Sequence, residues 1–190
     1  MLVVLALAAD ARADWLLTPF LGTTLAGQSA QVQFDPDAVA TKHWLFGGSV
    51  TWLGGSVLGI EADFAWVPGI FEDDNTASLV TASSAITLSG NVIAALPVSV
   101  TRESLRPYLV GGFGTIHAKA EDRICLEDCE QLTEPALQVG GGAVGMINDR
   151  AGLRFDFRQV RTIRREENLT GERRAKLSFW RLCVGVVIRY

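Results

Sequence analysis

No apolar run in this 190-residue chain is long enough to be a membrane-spanning helix, although 48% of its residues are hydrophobic and its mean hydropathy is +0.24. Apolar surface must therefore be spread over shorter segments. A strong excess of either charge is also missing. The formal net charge of -4 is too mild for a polyanion-binding surface, which excludes nucleic acid as a partner. Histidine is scarce: only His43 and His117 are present, neither in a His-x-Ser arrangement, so a Ser/His/carboxylate lipid enzyme has little to draw on and no enzyme is expected. Cysteine is limited to three residues. Cys125 and Cys129 sit together in the acidic stretch 121–130, and no second ligand pair with zinc spacing follows, so no metal centre is implied. Outside the cytosol this pair can close a local disulfide if the Cβ vectors converge, and the spacing leaves the bonded and free states both open. Cys183 has no evident mate.

Two motifs do not carry the chemistry they suggest. Gly140-Gly-Gly142-Ala-Val-Gly145 satisfies G-x-G-x-x-G, but the turn residues Asn148-Asp149 follow where a dinucleotide site needs a helix. These glycines read instead as small positions in a strand where neighbouring groups come close. The acidic run Glu72-Asp-Asp-Asn75 lacks the ligand spacing and tight glycine turn of a calcium loop and reads as solvated charge. No cofactor is expected.

The first thirteen residues combine the apolar run 2–9 with Ala11-Arg12-Ala13, a small-x-small cleavage pattern. Residues 1–13 are expected to be a signal peptide, truncated at its start because the basic n-region is missing, with Asp14 opening a single domain over 14–190. From Trp15 onward the pattern has period two, and no extended segment keeps a helical period. Strands are predicted at about 15–26, 42–53, 57–67, 86–99, 106–119, 136–147, 152–164 and 178–190. The links alternate between short ones (54–55, 101–105, 148–151) and long ones (28–41, 68–85, 120–135, 165–177), as in outer-membrane barrels with short periplasmic turns and long external loops.

Charge segregates to one face of each strand. In the second, Trp44, Phe46, Gly48, Val50 and Trp52 oppose His43, Leu45, Gly47, Ser49 and Thr51; in the third, Leu58, Ile60, Ala62, Phe64 and Trp66 oppose Glu61 and Asp63. The fourth sets Leu88, Val92, Ala94, Leu96 and Val98 against Thr87, Ser89, Asn91 and Ile93. The fifth is expected to set Tyr108, Val110 and Ile116 on the apolar face against His117 and Lys119. The seventh sets Leu153, Phe155 and Phe157 against Arg154, Asp156 and Arg158; the eighth sets Trp180, Leu182, Val184, Val186, Ile188 and Tyr190 against Arg181, Cys183, Gly185 and Arg189. Periodicity alone does not say which face is inside. Aromatic residues at the ends of the apolar stripes, abundant glycine, long strands, the export signal and the lack of covering helices favour apolar-outward. The fold class expected is therefore all-β: an eight-stranded antiparallel up-and-down transmembrane β-barrel.

Four segments carry a resemblance: Thr18-Pro-Phe-Leu-Gly22, Gly59-Ile-Glu-Ala-Asp-Phe64, Arg106-Pro-Tyr-Leu-Val-Gly-Gly-Phe-Gly114 and Gly152-Leu-Arg-Phe-Asp-Phe157. Together they resemble the small outer-membrane β-barrel proteins of the OmpA/OmpX/OmpW-like kind over essentially the whole mature chain. The C-terminus, with Gly185, Ile188 and the final Tyr190, is similar to the terminal signal read by the barrel assembly machinery, although Cys183 stands at its polar leading position. The resemblance implies residence in the outer membrane of a Gram-negative envelope, with contact to outer-membrane lipid and lipopolysaccharide.

With the charged face inward, Glu61, Asp63 and Asp156 share a narrow lumen with Arg154, Arg158 and Arg181, with His117 and Lys119 toward the outer mouth. An eight-stranded interior is just wide enough for side chains to fill, so these charges are expected to pair into a plug. The function expected is structural, adhesive or loop-displaying, with an unknown extracellular partner. The alternatives are a narrow channel for small molecules, hydrophobic ones included, and, behind that, a lipid-modifying enzyme. Basic residues of the last loop, Arg164, Arg165, Arg173, Arg174 and Lys176, are candidate contacts for lipopolysaccharide phosphates.

Overall fold

Alternation of apolar and polar side chains makes strands of these segments, and it is visible residue by residue. Along Leu58–Pro68 every second side chain is exposed and the next is buried, and Ala151–Thr162 repeats the pattern. In the computed structural model, which describes residues 14–29, 42–53, 57–69, 80–101, 105–122, 131–163 and 177–190, eight such strands form. They are β1 (Asp14–Ser29), β2 (Trp44–Leu53), β3 (Leu58–Pro68), β4 (Val80–Ala95), β5 (Arg106–Asp122), β6 (Gln131–Met146), β7 (Ala151–Thr162) and β8 (Leu177–Arg189). A single helical turn, α1 (Val98–Thr101), lies between β4 and β5, and no described helix is long and apolar enough to cross a membrane. Each strand pairs antiparallel with the next, and β8 pairs with β1, so the sheet closes into a barrel without edges.

The strands are tilted, as closure with a stagger requires. Stepping from partner to partner out of Leu17, through Val50, Ala62, Gly90, Phe113, Leu137, Arg161 and Ser178, returns to β1 at Gln28 rather than at Leu17. The lower end carries both barrel termini and the short connections. In the β6–β7 connection the Asn148 side chain accepts hydrogen bonds from the backbone N–H of Arg150 and Ala151, at 3.0 and 2.7 Å, which fixes a tight Asx-type turn.

Two predicted strands are shifted. β4 spans 80–95 rather than 86–99, with Val98 in α1, and β6 spans 131–146 rather than 136–147. Both extend upward through polar residues such as Ser83, Ser84 and Thr133, held by the ladder to β5 and not by any apolar alternation. The signal-peptide segment 1–13, Cys125 and Cys129, and the last-loop cations 164–176 lie outside the described residues.

The outside of the wall is apolar. All five tryptophans of the chain stand on outward-facing positions of β1, β2, β3 and β8. Trp15 pairs with Trp52 and meets Tyr190 at the lower edge, where the Tyr190 N–H donates to the Trp15 carbonyl at 2.9 Å. Toward the upper edge, the Phe46 and Trp66 rings lie 6.3 Å apart, and Phe157 stacks on Trp180 with centroids 4.7 Å apart. Trp44 and Trp52 end one outward stripe; at about 3.3 Å per residue and a tilt of about 40° they are roughly 20 Å apart along the barrel axis. Between these aromatic groups the exposed side chains are those of Leu17, Val50, Ile60, Phe64, Leu88, Val92, Leu109, Phe155 and Val186, with no charge among them.

One expected face is reversed. Tyr108, Val110 and Ile116 of β5 point into the barrel and are buried, while Leu109 and Phe113 face outward and His117 is exposed on the outside. The lumen is apolar at both ends, so apolar residues do not mark the outer face there, and Gly111, Gly112 and Gly114 blur the period between them. His117 lies above the apolar belt, where it shares a 2.8 Å hydrogen bond with Thr133 of β6. It is therefore no part of the lumen, and the Lys119 side chain lies outside what is described.

Candidate functional site

The lumen is layered. At its lower end Leu16, Leu53, Ile93, Tyr108, Val144 and Val187 belong to one apolar cluster. Toward the upper end two more form: Leu45, Ala65, Val67 and Ala85 with Phe20 and Cys183 on one side, and Ile116, Ala136, Val160 and Phe179 on the other. Between these layers lie six charges on inward positions of β3, β7 and β8, where strand alternation sends Glu61, Asp63, Arg154, Asp156, Arg158 and Arg181 to the same face, while Glu134 of β6 is buried higher, level with Ile116.

Glu61 sits between two guanidinium groups, 2.6 Å from Arg154 Nη2 and 2.8 Å from Arg158 Nη1. It also accepts hydrogen bonds from Thr51 Oγ1 at 3.1 Å and Asn91 Nδ2 at 3.2 Å. Asp156 receives Arg158 through Nε and Nη2 in a bidentate pair and accepts a further bond from Arg154 Nη2 at 3.1 Å. Asp63 pairs with Arg181 Nη1 at 2.9 Å and lies 3.9 Å from Arg158 Nη1. All six side chains are buried, and three carboxylates balance three guanidinium groups. A buried set of this kind is tolerable only because it is neutral and multiply bonded; an isolated charge in such a place is strongly disfavoured.

Residues that charge patterning alone does not single out complete the set. Tyr108 donates its hydroxyl to Asp156 and accepts from Arg154 Nε at 2.7 Å, and the Arg154 guanidinium carbon lies 4.8 Å from the centre of its ring. Arg154 Nη1 also reaches Ser49 and Thr51 on β2, at 3.2 and 3.3 Å. Arg181 lies over the Phe20 ring at 5.6 Å. The contacts thus tie β1, β2, β3, β4, β5, β7 and β8 together across the lumen.

Glycine makes room for them. A Cβ on Gly142 would stand 2.5 Å from the Tyr108 hydroxyl and 2.1 Å from the Phe155 carbonyl oxygen, and one on Gly140 would stand 2.9 Å from Arg158 Cγ. The run that imitates a nucleotide motif is therefore the smooth wall against which Tyr108 and Arg158 lie. Of the C-terminal residues, Gly185 is buried against β1, where a Cβ would meet Thr18 and Phe20, and Tyr190 is exposed at the lower rim. No group of three or more His, Cys, Asp or Glu able to hold a metal occurs among the described residues.

No protein-family model matches this chain, and no curated protein matches it by sequence. Solved structures do match in fold. Neisserial surface protein A superposes with a TM-score of 0.66 at 13% identity, covering 96% of this chain and 100% of that one. The N-terminal β-barrel domain of OprF from Pseudomonas aeruginosa gives 0.58 at 12% identity, over 95% and 100% of the two chains. Ail, the attachment invasion locus protein of Yersinia pestis, solved with the heparin analogue sucrose octasulfate, gives 0.57 at 12% identity, over 96% and 100%. The architecture is that of the small outer-membrane β-barrels.

Proposed function

We propose that this barrel, built like the small outer-membrane barrels, is a closed scaffold of the bacterial outer membrane that holds and displays its upper loops, in a structural or adhesive role. One observation carries the reading: the ion-paired layer is buried between apolar layers below and above it, while the apolar belt is turned outward. A belt about 20 Å tall fits the acyl region of a membrane, and a neutral, cross-bonded layer across the lumen fits a plug. The likeness to a neisserial surface protein and to an attachment protein supports a role at the cell surface.

The basic side chains Lys42, His117 and Arg161 are exposed near the upper ends of β2, β5 and β7, which supports contact with lipopolysaccharide phosphates at that rim. Gly185, Ile188 and Tyr190 are the residues we assign to recognition by the barrel assembly machinery. No catalytic role is assigned: His117 faces outward and is hydrogen-bonded to Thr133 rather than to a serine.

The test is single-channel recording on the refolded barrel in planar bilayers. A closed scaffold gives no stable conductance. A steady channel of reproducible amplitude overturns the plug and favours the narrow conduit.

A further inference from the structure

Within the charged layer one place is not filled by protein. Thr18, Phe20, Ser49, Asp63, Arg181 and Cys183 are among the residues lining a cavity with room for about one water molecule. Thr18, Ser49 and Asp63 are cross-strand partners in one row through β1, β2 and β3, all facing inward. Arg181 reaches down to the Asp63 end of that row from β8.

Two polar atoms on this cavity wall have neither a hydrogen-bond nor an ion-pair partner within the protein, although their residues are almost completely buried: Thr18 Oγ1, at 1% exposure, and Arg181 Nε, at 2%. A buried donor or acceptor left unpaired is costly, and more so when the group is a cation. Thr18 can donate and accept; Arg181 Nε can only donate.

We propose that this cavity binds one internal water, which accepts from Arg181 Nε–H and exchanges a hydrogen bond with Thr18 Oγ1. The occupant is a neutral molecule. Across the layer the carboxylates of Glu61, Asp63 and Asp156 already balance the guanidinium groups of Arg154, Arg158 and Arg181, so an ion of either sign would bring uncompensated charge into a buried place. The water is the one member of the layer that is not covalently part of a strand, and it adds a hydrogen-bonded link to β1, which otherwise meets the network through the Phe20 ring.

The experiment is crystallography of the whole refolded barrel at a resolution that shows ordered solvent, with a parallel bromide soak, on the natural chain and on Thr18→Ser and Thr18→Val. The expected result is a single solvent peak within about 2.7–3.2 Å of both atoms, without anomalous signal from bromide, retained in Thr18→Ser and lost or displaced in Thr18→Val. A natural chain with no peak there, with Thr18 and Arg181 Nε bonded directly to protein acceptors, overturns the proposal. So does a bromide signal, which assigns the cavity to an anion. The natural chain and the serine variant decide the matter even if the valine variant does not fold.

Discussion

Glu61 is the residue on which most of the lumen converges, with Arg154 and Arg158 both within 2.8 Å of its carboxylate. Glu61→Ala leaves two guanidinium groups facing each other in a place water hardly reaches. The expected loss is about 3–5 kcal/mol, as for other broken buried pairs, read from urea unfolding of the refolded barrel in lipid vesicles. An unchanged unfolding midpoint would show that the pairs are not buried together. The charged residues themselves are legible in sequence because alternation puts them on one face. Their pairings are not, since which carboxylate meets which arginine depends on the stagger of strands far apart in the chain. Tyr108 is harder still. Its ring reads as lipid-facing, and only Gly142, its cross-strand partner, hints that a bulky group lies inward at that level.

Among the strands, β3 presents the two faces most cleanly and allows a matched comparison. Ala62→Arg places a cation in the middle of the outward belt, at an expected cost of about 2–4 kcal/mol, while a polar substitution at the exposed turn residue Asp149 is expected to be neutral. Heat-modifiable mobility on gels, which separates folded from unfolded barrel, reads both; equal tolerance would contradict the assignment of faces. In β6 the glycine wall is the sensitive feature. Gly142→Val drives a side chain into Tyr108 and the β7 backbone, and overpacking of this kind typically costs about 1–3 kcal/mol. Its folded band is expected to weaken, and to recover in part when Tyr108→Phe removes the hydroxyl, the side-chain atom that stands nearest. Six of the strands are legible within about four residues at either end, because an apolar alternation marks where each lies in the belt. The lower ends of β4 and β6 are equally clear, but their upper extensions are not: above the belt the ladder continues without the pattern that announces it.

For the molecule as a whole, the unusual property is where its apolar surface lies. A water-soluble barrel has an apolar lumen and a charged exterior; here the belt outside is aromatic and aliphatic, and the ionic groups at its level are inside. That inversion is what the sequence pattern left undecided, since period two is the same in either case. The five tryptophans report on it directly, because all of them stand on the outer wall. The deciding measurement is their fluorescence in the barrel refolded into vesicles whose acyl chains carry bromine. Strong quenching relative to unbrominated vesicles is the expected result. Unquenched fluorescence from a chain that stays folded in buffer without lipid or detergent would contradict the outward belt, and with it the membrane scaffold.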